Sequence, residues 1–195
     1  MIRLYYIQKF KDFFMKNRFL VGLILFLAIL TPSFAKTNVH KSDFDGSVTI
    51  RTEPSWVKCP QSKMMCPLVG YAWSDGEFGE QYAALIIEIN DSWLKSYQSI
   101  NRLKLNIDGE VTELNKLTPN QPTSYSHDQV SAISMDYFVI PLDKLNSFET
   151  AASIKMQVAT DKGLYDMIYK GGKKQTRANK MLSEFMSALE QNKQK

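Results

Sequence analysis

The chain has 195 residues, 44% of them apolar, and carries 24 Lys+Arg against 20 Asp+Glu, two cysteines and two histidines. With nine glycines, seven prolines and one long apolar run, this composition excludes a collagen-like chain, a disordered chain and a multi-span membrane protein. The formal charge of +4 raises the question of a polyanionic partner, and the placement of that charge answers it.

Residues 19–30 form a run of twelve side chains without a polar group, preceded by Lys16 and Arg18 and followed by Thr31-Pro32-Ser33-Phe34-Ala35. This pattern predicts a secretory signal peptide over 1–35: a basic start, an apolar stretch too short for a comfortable bilayer span, a helix-breaking proline, and small residues at −3 and −1. Cleavage is expected between Ala35 and Lys36. Met15 opens a conventional leader by itself and is an alternative start. Removing 1–35 takes away five basic residues and one acid, so the mature chain 36–195 holds nineteen of each and is formally neutral. That neutrality is divided between residues 36–169 at −5 and residues from Lys170 onward at +5.

The polar stretch 36–43 is expected to fray. Gly46 to Arg51 alternates as a half-buried strand does, and Leu68 to Trp73 is a second strand closed by the turn Ser74-Asp75-Gly76. Tyr82 to Ile89 predicts a strand buried on both faces. Leu103, Leu105 and Ile107 alternate with polar residues, Asp108-Gly109 turns the chain, and Val111 to Leu114 returns, which predicts a hairpin with a type I′ turn. The segment 115–129 reads as a long surface loop. Met135 to Ile140 is a strand stopped by Pro141, and Leu142, Leu145, Phe148 and Ala151 follow at helical spacing. Ile154 to Val158 and Leu164 to Tyr169 predict a second hairpin around Asp161-Lys162-Gly163. Past Gly171-Gly172, Ala178, Met181, Leu182, Phe185 and Leu189 share one side of a helix at about 175–190. Seven or eight strands and two helices imply one mainly-β α+β domain over 36–195, an antiparallel sandwich or partly closed barrel whose C-terminal amphipathic helix covers an edge or face.

Cys59 and Cys66 bracket Pro60-Gln61-Ser62-Lys63-Met64-Met65, and an exported chain with two cysteines is expected to join them in a disulfide. Closing so short a loop restrains the unfolded chain by about 2–3 kcal/mol. A redox pair would need the tighter Cys-x-x-Cys, and copper would need further soft ligands beside Met64 and Met65. The stapled tip Lys63, Met64 and Met65 is a candidate interaction surface, since rigidity lowers the entropy lost on binding and methionine adapts its shape.

Ser126-His127-Asp128 holds the residue types of a hydrolytic triad, but sequence neighbours in an extended segment point to opposite sides and cannot converge. The acidic turn with Asp75, Glu77 and Glu80 lacks EF-hand spacing. The sequence therefore offers no catalytic set, metal site or cofactor motif. The second candidate surface is basic: Lys170, Lys173, Lys174, Arg177 and Lys180 gather near the start of the last helix, where cations oppose its dipole and so serve something beyond it.

These features predict an exported, periplasmic or secreted, non-enzymatic protein that binds a protein or an anionic envelope component, with no nucleic-acid partner and no membrane span after cleavage. An inhibitor of a lysozyme-like enzyme is a specific form of this reading. A hydrolase with carboxylates from distant strands is the alternative, marked by two acids with shifted pKa in one pocket.

Overall fold

The computed structural model describes residues 36–60, 66–78, 80–119, 122–127, 131–171 and 175–193. The leader, its cleavage junction at Ala35, and the sequence candidates Lys63, Met64, Met65, Lys173 and Lys174 lie outside them.

The described residues form eleven strands and two helices: β1 (Thr37–Lys41), β2 (Val48–Thr52), β3 (Ser55–Trp56), β4 (Leu68–Ser74), β5 (Tyr82–Asp91), β6 (Ile100–Ile107), β7 (Glu110–Leu114), β8 (Ser124–His127), β9 (Ala132–Pro141), α1 (Leu142–Thr150), β10 (Ile154–Thr160), β11 (Gly163–Lys170) and α2 (Arg177–Lys193). All pairings are antiparallel. The larger sheet runs β1-β2-β4-β5-β9-β8 with β3 also on β4, and the smaller runs β11-β10-β6-β7. The mainly-β architecture with a terminal helix is the one the hydrophobic pattern implies.

Central position explains the most apolar segment. β5 lies between β4 and β9, so Leu85, Ile87 and Ile89 meet Phe138 and Ile140 in the main core, while Ala84 and Ile86 on the opposite face pack with Ala72, Phe78, Met135 and Tyr137. Gly70 permits a close crossing: a Cβ there would lie 3.2 Å from backbone atoms of Thr52 and Pro54, where the chain passes from β2 to β3 over β4. In the β6–β7 hairpin, Asp108 and Gly109 both take positive φ, 49° and 102°, the geometry of the expected type I′ turn. The Asp108 carboxylate also accepts the backbone N–H groups of Ala152 and Ser153 at 3.1 and 2.7 Å, just past α1.

Two short pairings curl the larger sheet toward the smaller. Lys58 and Ile168 of β11 exchange backbone hydrogen bonds of 3.1 and 2.7 Å, and beyond β7 the Leu117 and Val139 N–H groups donate to Tyr137 and Asn115 across to β9, each at 2.9 Å. Helix α2 packs against β1, β2, β3, β4 and β11. Its apolar side, Ala178, Met181, Leu182, Phe185, Met186 and Leu189, joins the same core as the inner faces of both sheets. The helix is thus a core element, more than a cover on one edge.

Where α2 begins, Thr176 caps it. The Thr176 hydroxyl accepts the Asn179 N–H at 3.2 Å and donates to the Tyr169 carbonyl at 2.6 Å, so the cap also ties the helix to β11. Thr176→Ala is expected to cost about 1–2 kcal/mol and Thr176→Ser much less, read from urea midpoints at constant m-value.

Three expectations change. The stretch expected to fray contains β1, paired along its length with β2. The long loop at 115–129 contains β8, paired with β9, and β3 is a third strand beyond the expected seven or eight. β1 and β8 are almost wholly exposed, so they carry no apolar alternation; backbone hydrogen bonding holds them and leaves no trace in side-chain pattern. The last helix runs 177–193 instead of about 175–190.

Candidate functional site

Cys59 and Cys66 stand at disulfide-bonding distance, with S–S 2.04 Å and Cα–Cα 5.7 Å. The segment leading into this loop is anchored by the Lys58–Ile168 pairing described above, and Cys59 and Cys66 pack against the main core. Pro60 is thereby placed at the rim of a groove of about 440 Å³ on the smaller sheet. Alternation along the strands sets the floor: Leu105, Met156 and Met167 turn inward to the core, while Asn106, Lys155, Gln157 and Ile168 face outward.

The groove has a largely apolar lining whose charged groups leave it slightly cationic. Lys104, Lys155 and Asp166 line it together with Asn106, Gln157 and Val111. The Gln157 amide donates to Asp166 at 2.8 Å. Lys104 stands 3.9 Å from Glu113, with side chains 37% and 51% exposed, a separation at which an ion pair contributes about 0–1 kcal/mol. Its ammonium can therefore turn to a partner at little cost. Lys155 is exposed on the neighbouring strand, and Val111 at 61% exposure adds an apolar contact surface.

The basic candidate at the helix start is less coherent. Arg177 and Lys180 are exposed on α2. Lys170, which precedes them in sequence, serves the fold: its ammonium donates to the carbonyls of Phe148 and Glu149 at 2.9 and 2.7 Å, closing the C-terminal end of α1.

A second cleft, about 270 Å³, lies on the outer face of the larger sheet among Thr49, Arg51, Ala72, Phe78 and Tyr137. The Arg51 guanidinium sits 5.7 Å from the centre of the Tyr137 ring. Glu88, half-buried on the same face, has its carboxyl pKa raised by loss of solvent, an effect partly offset by Arg51. Asp45 shows the opposite shift, down to about 2, because Ser42 and Ser47 hydrogen-bond its carboxylate. Asp45 lies in the β1–β2 turn and Glu88 in β5, and neither lines either of the two clefts. In the acidic turn, Asp75 accepts the Val48 N–H at 3.0 Å, and among the described residues no cluster of three or more His, Cys, Asp or Glu is placed to hold a metal. His127 is exposed on β8.

Sequence reasoning passed over the segment 92–99, between β5 and β6. Trp93 and Leu94 stand 74% and 66% exposed, with Tyr97 and Tyr125 also exposed and their rings 5.1 Å apart. Its signal was a tryptophan and a leucine outside any periodic element, two and three residues after an aspartate suited to an Asx turn.

Comparison of the chain with protein-family models, with curated proteins and with solved structures gives no match. Among the described residues no helix is long and apolar enough to cross a membrane.

Proposed function

We propose that this is an exported, non-enzymatic binding protein of the periplasm or extracellular space, which holds a protein or envelope component in the groove beside its disulfide-closed loop. The leader pattern and the cysteine pair support export. The observation that carries the site is the anchoring of the stapled segment on β11, which sets Pro60 at the rim of the groove. A preorganised rim over a rigid sheet loses little conformational entropy on binding. The described lining residues include no serine, threonine, cysteine or histidine, and they offer amides, two lysines and one carboxylate, a set suited to recognition of a chain that presents acidic groups.

In-cell photo-cross-linking from position 111, at the groove, tests this reading. One product is expected, reduced at least tenfold by the charge reversals Lys104→Glu and Lys155→Glu and unchanged by Arg177→Glu with Lys180→Glu. A product that survives the groove reversals and is lost on reversing the helix would move the site to α2. A pull-down with lysozyme addresses the inhibitor form of the proposal directly.

A further inference from the structure

The exposed loop 92–99 is held too firmly to be slack chain. Asp91, 1% exposed, accepts the Trp93 and Leu94 N–H groups at 3.1 and 2.8 Å. Gln98, also 1% exposed, donates its N–H to Ser134 Oγ at 2.9 Å and accepts the hydroxyls of Tyr165 and Thr160 at 2.8 and 3.2 Å. Ser99 donates its N–H to Asp161 at 2.9 Å, and the Lys162 ammonium bonds Ser96 Oγ. Lys95 takes a positive φ of 48°, a conformation that costs energy for a side chain of this kind. Buried polar groups are thus committed to a loop that turns a tryptophan and a leucine into water. Exposed apolar surface on a rigid support marks a contact site.

We propose that this loop, with Tyr125 beside it, docks on an anionic lipid bilayer. Trp93 and Leu94 protrude, and a lipid interface accepts protruding side chains without a matching cavity in a partner. Lys95 follows them directly. Tyr97 and Tyr125 combine an apolar ring with a polar end, the chemistry that concentrates at the headgroup level of membranes. Residues 92–99 and 122–127 contain no carboxylate. Two acids touch the loop: Asp91 is buried beneath it with its carboxylate engaged by the Trp93 and Leu94 N–H groups, and Asp161 is hydrogen-bonded to Ser99 and adjoined in its own turn by Lys162, while Asp128 follows His127 in the sequence. Apolar insertion and cationic attraction therefore act together at one tip, as reversible association with an anionic surface requires.

The test uses the exported protein recovered after processing, with vesicles of phosphatidylglycerol and phosphatidylethanolamine compared with phosphatidylcholine alone. Trp93→Ser with Leu94→Ser should weaken partitioning onto the anionic vesicles at least tenfold while leaving the circular dichroism spectrum intact, since both side chains are exposed. Lys95→Glu should weaken it severalfold, and added salt should mimic that change. Equal partitioning of the unaltered protein and the double variant, or no partitioning of the unaltered protein, overturns the proposal. So does an in-cell photo-cross-link from position 94 that joins a protein and no lipid.

Discussion

Replacing Lys116 with methionine is expected to lower the unfolding free energy by about 3–5 kcal/mol. The lysine ammonium lies 2.6 Å from the Asp136 carboxylate, with the two side chains only 15% and 8% exposed. Asp136 is opposite Ile87 on the inward side of β9, where a charge without a counter-charge is strongly disfavoured. Two hydrogen bonds remain after the substitution, from the Thr123 hydroxyl at 3.2 Å and the Tyr137 N–H at 2.9 Å, so the loss should fall toward the lower end of the range. Thr123 also accepts the Ile100 N–H at 2.8 Å, which extends the same network to the first residue of β6. The double variant Lys116→Met with Asp136→Leu removes both charges and should recover much of the loss, because a buried ion pair adds little beyond an apolar pair of like volume. Urea unfolding of the three proteins decides it: equal stability of single and double variants would mean that packing, and no stranded charge, sets the cost.

The second large effect is at Tyr169. Its ring packs edge-on against Phe148, with centroids 5.3 Å apart. Its hydroxyl shares a short hydrogen bond with that of Tyr71, and the Ala178 carbonyl lies 3.2 Å from the Tyr71 hydroxyl and 3.4 Å from that of Tyr169. One phenol therefore donates to the other, and the second donates to the helix carbonyl. The three residues belong to β4, β11 and α2, so this contact joins both sheets to the terminal helix. Burial holds both phenol pKa values well above the ordinary tyrosine value, and both groups act as neutral donors.

Tyr169→Ala is expected to cost about 3–5 kcal/mol through the cavity left in the core. Tyr169→Phe keeps the ring, leaves the Tyr71 hydroxyl its contact with Ala178, and should cost about 1 kcal/mol. The double change Tyr71→Phe with Tyr169→Phe should cost less than the sum of the two single changes, since no phenol is then left short of a partner. An additive result would show that the two hydroxyls do not act as a pair.

Much of the framework is legible residue by residue. The alternation of Leu103, Leu105 and Ile107 before Asp108-Gly109 marks a hairpin that forms where it should, because a type I′ turn and a period of two are local properties. Two cysteines separated by a short loop point to each other, and they meet. The amphipathic spacing from Ala178 to Leu189 identifies the helix and its buried side. β1 and β8 escape notice for a physical reason: side-chain burial writes a pattern into sequence, whereas backbone pairing at an exposed edge does not.

The candidate sites divide in the same way. Cys59 and Cys66 mark the stapled loop in sequence, but the placement of Pro60 against the groove depends on Lys58 pairing with Ile168, more than a hundred residues away in the chain. The aromatic loop depends on Asp91 and Gln98, which in a list of residues look like ordinary polar surface. Only packing turns them into buried brackets beneath Trp93 and Leu94.

The formal neutrality of residues 36–195 with their acidic body and basic tail, the mainly-β class, the cysteine pair and the terminal helix are legible in the sequence. All of these follow from composition and short-range periodicity. Tertiary structure alone decided that the helix completes the core between two sheets, that Lys170 closes α1 and so leaves the basic cluster, and that groove and aromatic loop exist as surfaces. Each of these requires distant segments to meet, and curling of the larger sheet toward the smaller brings them together.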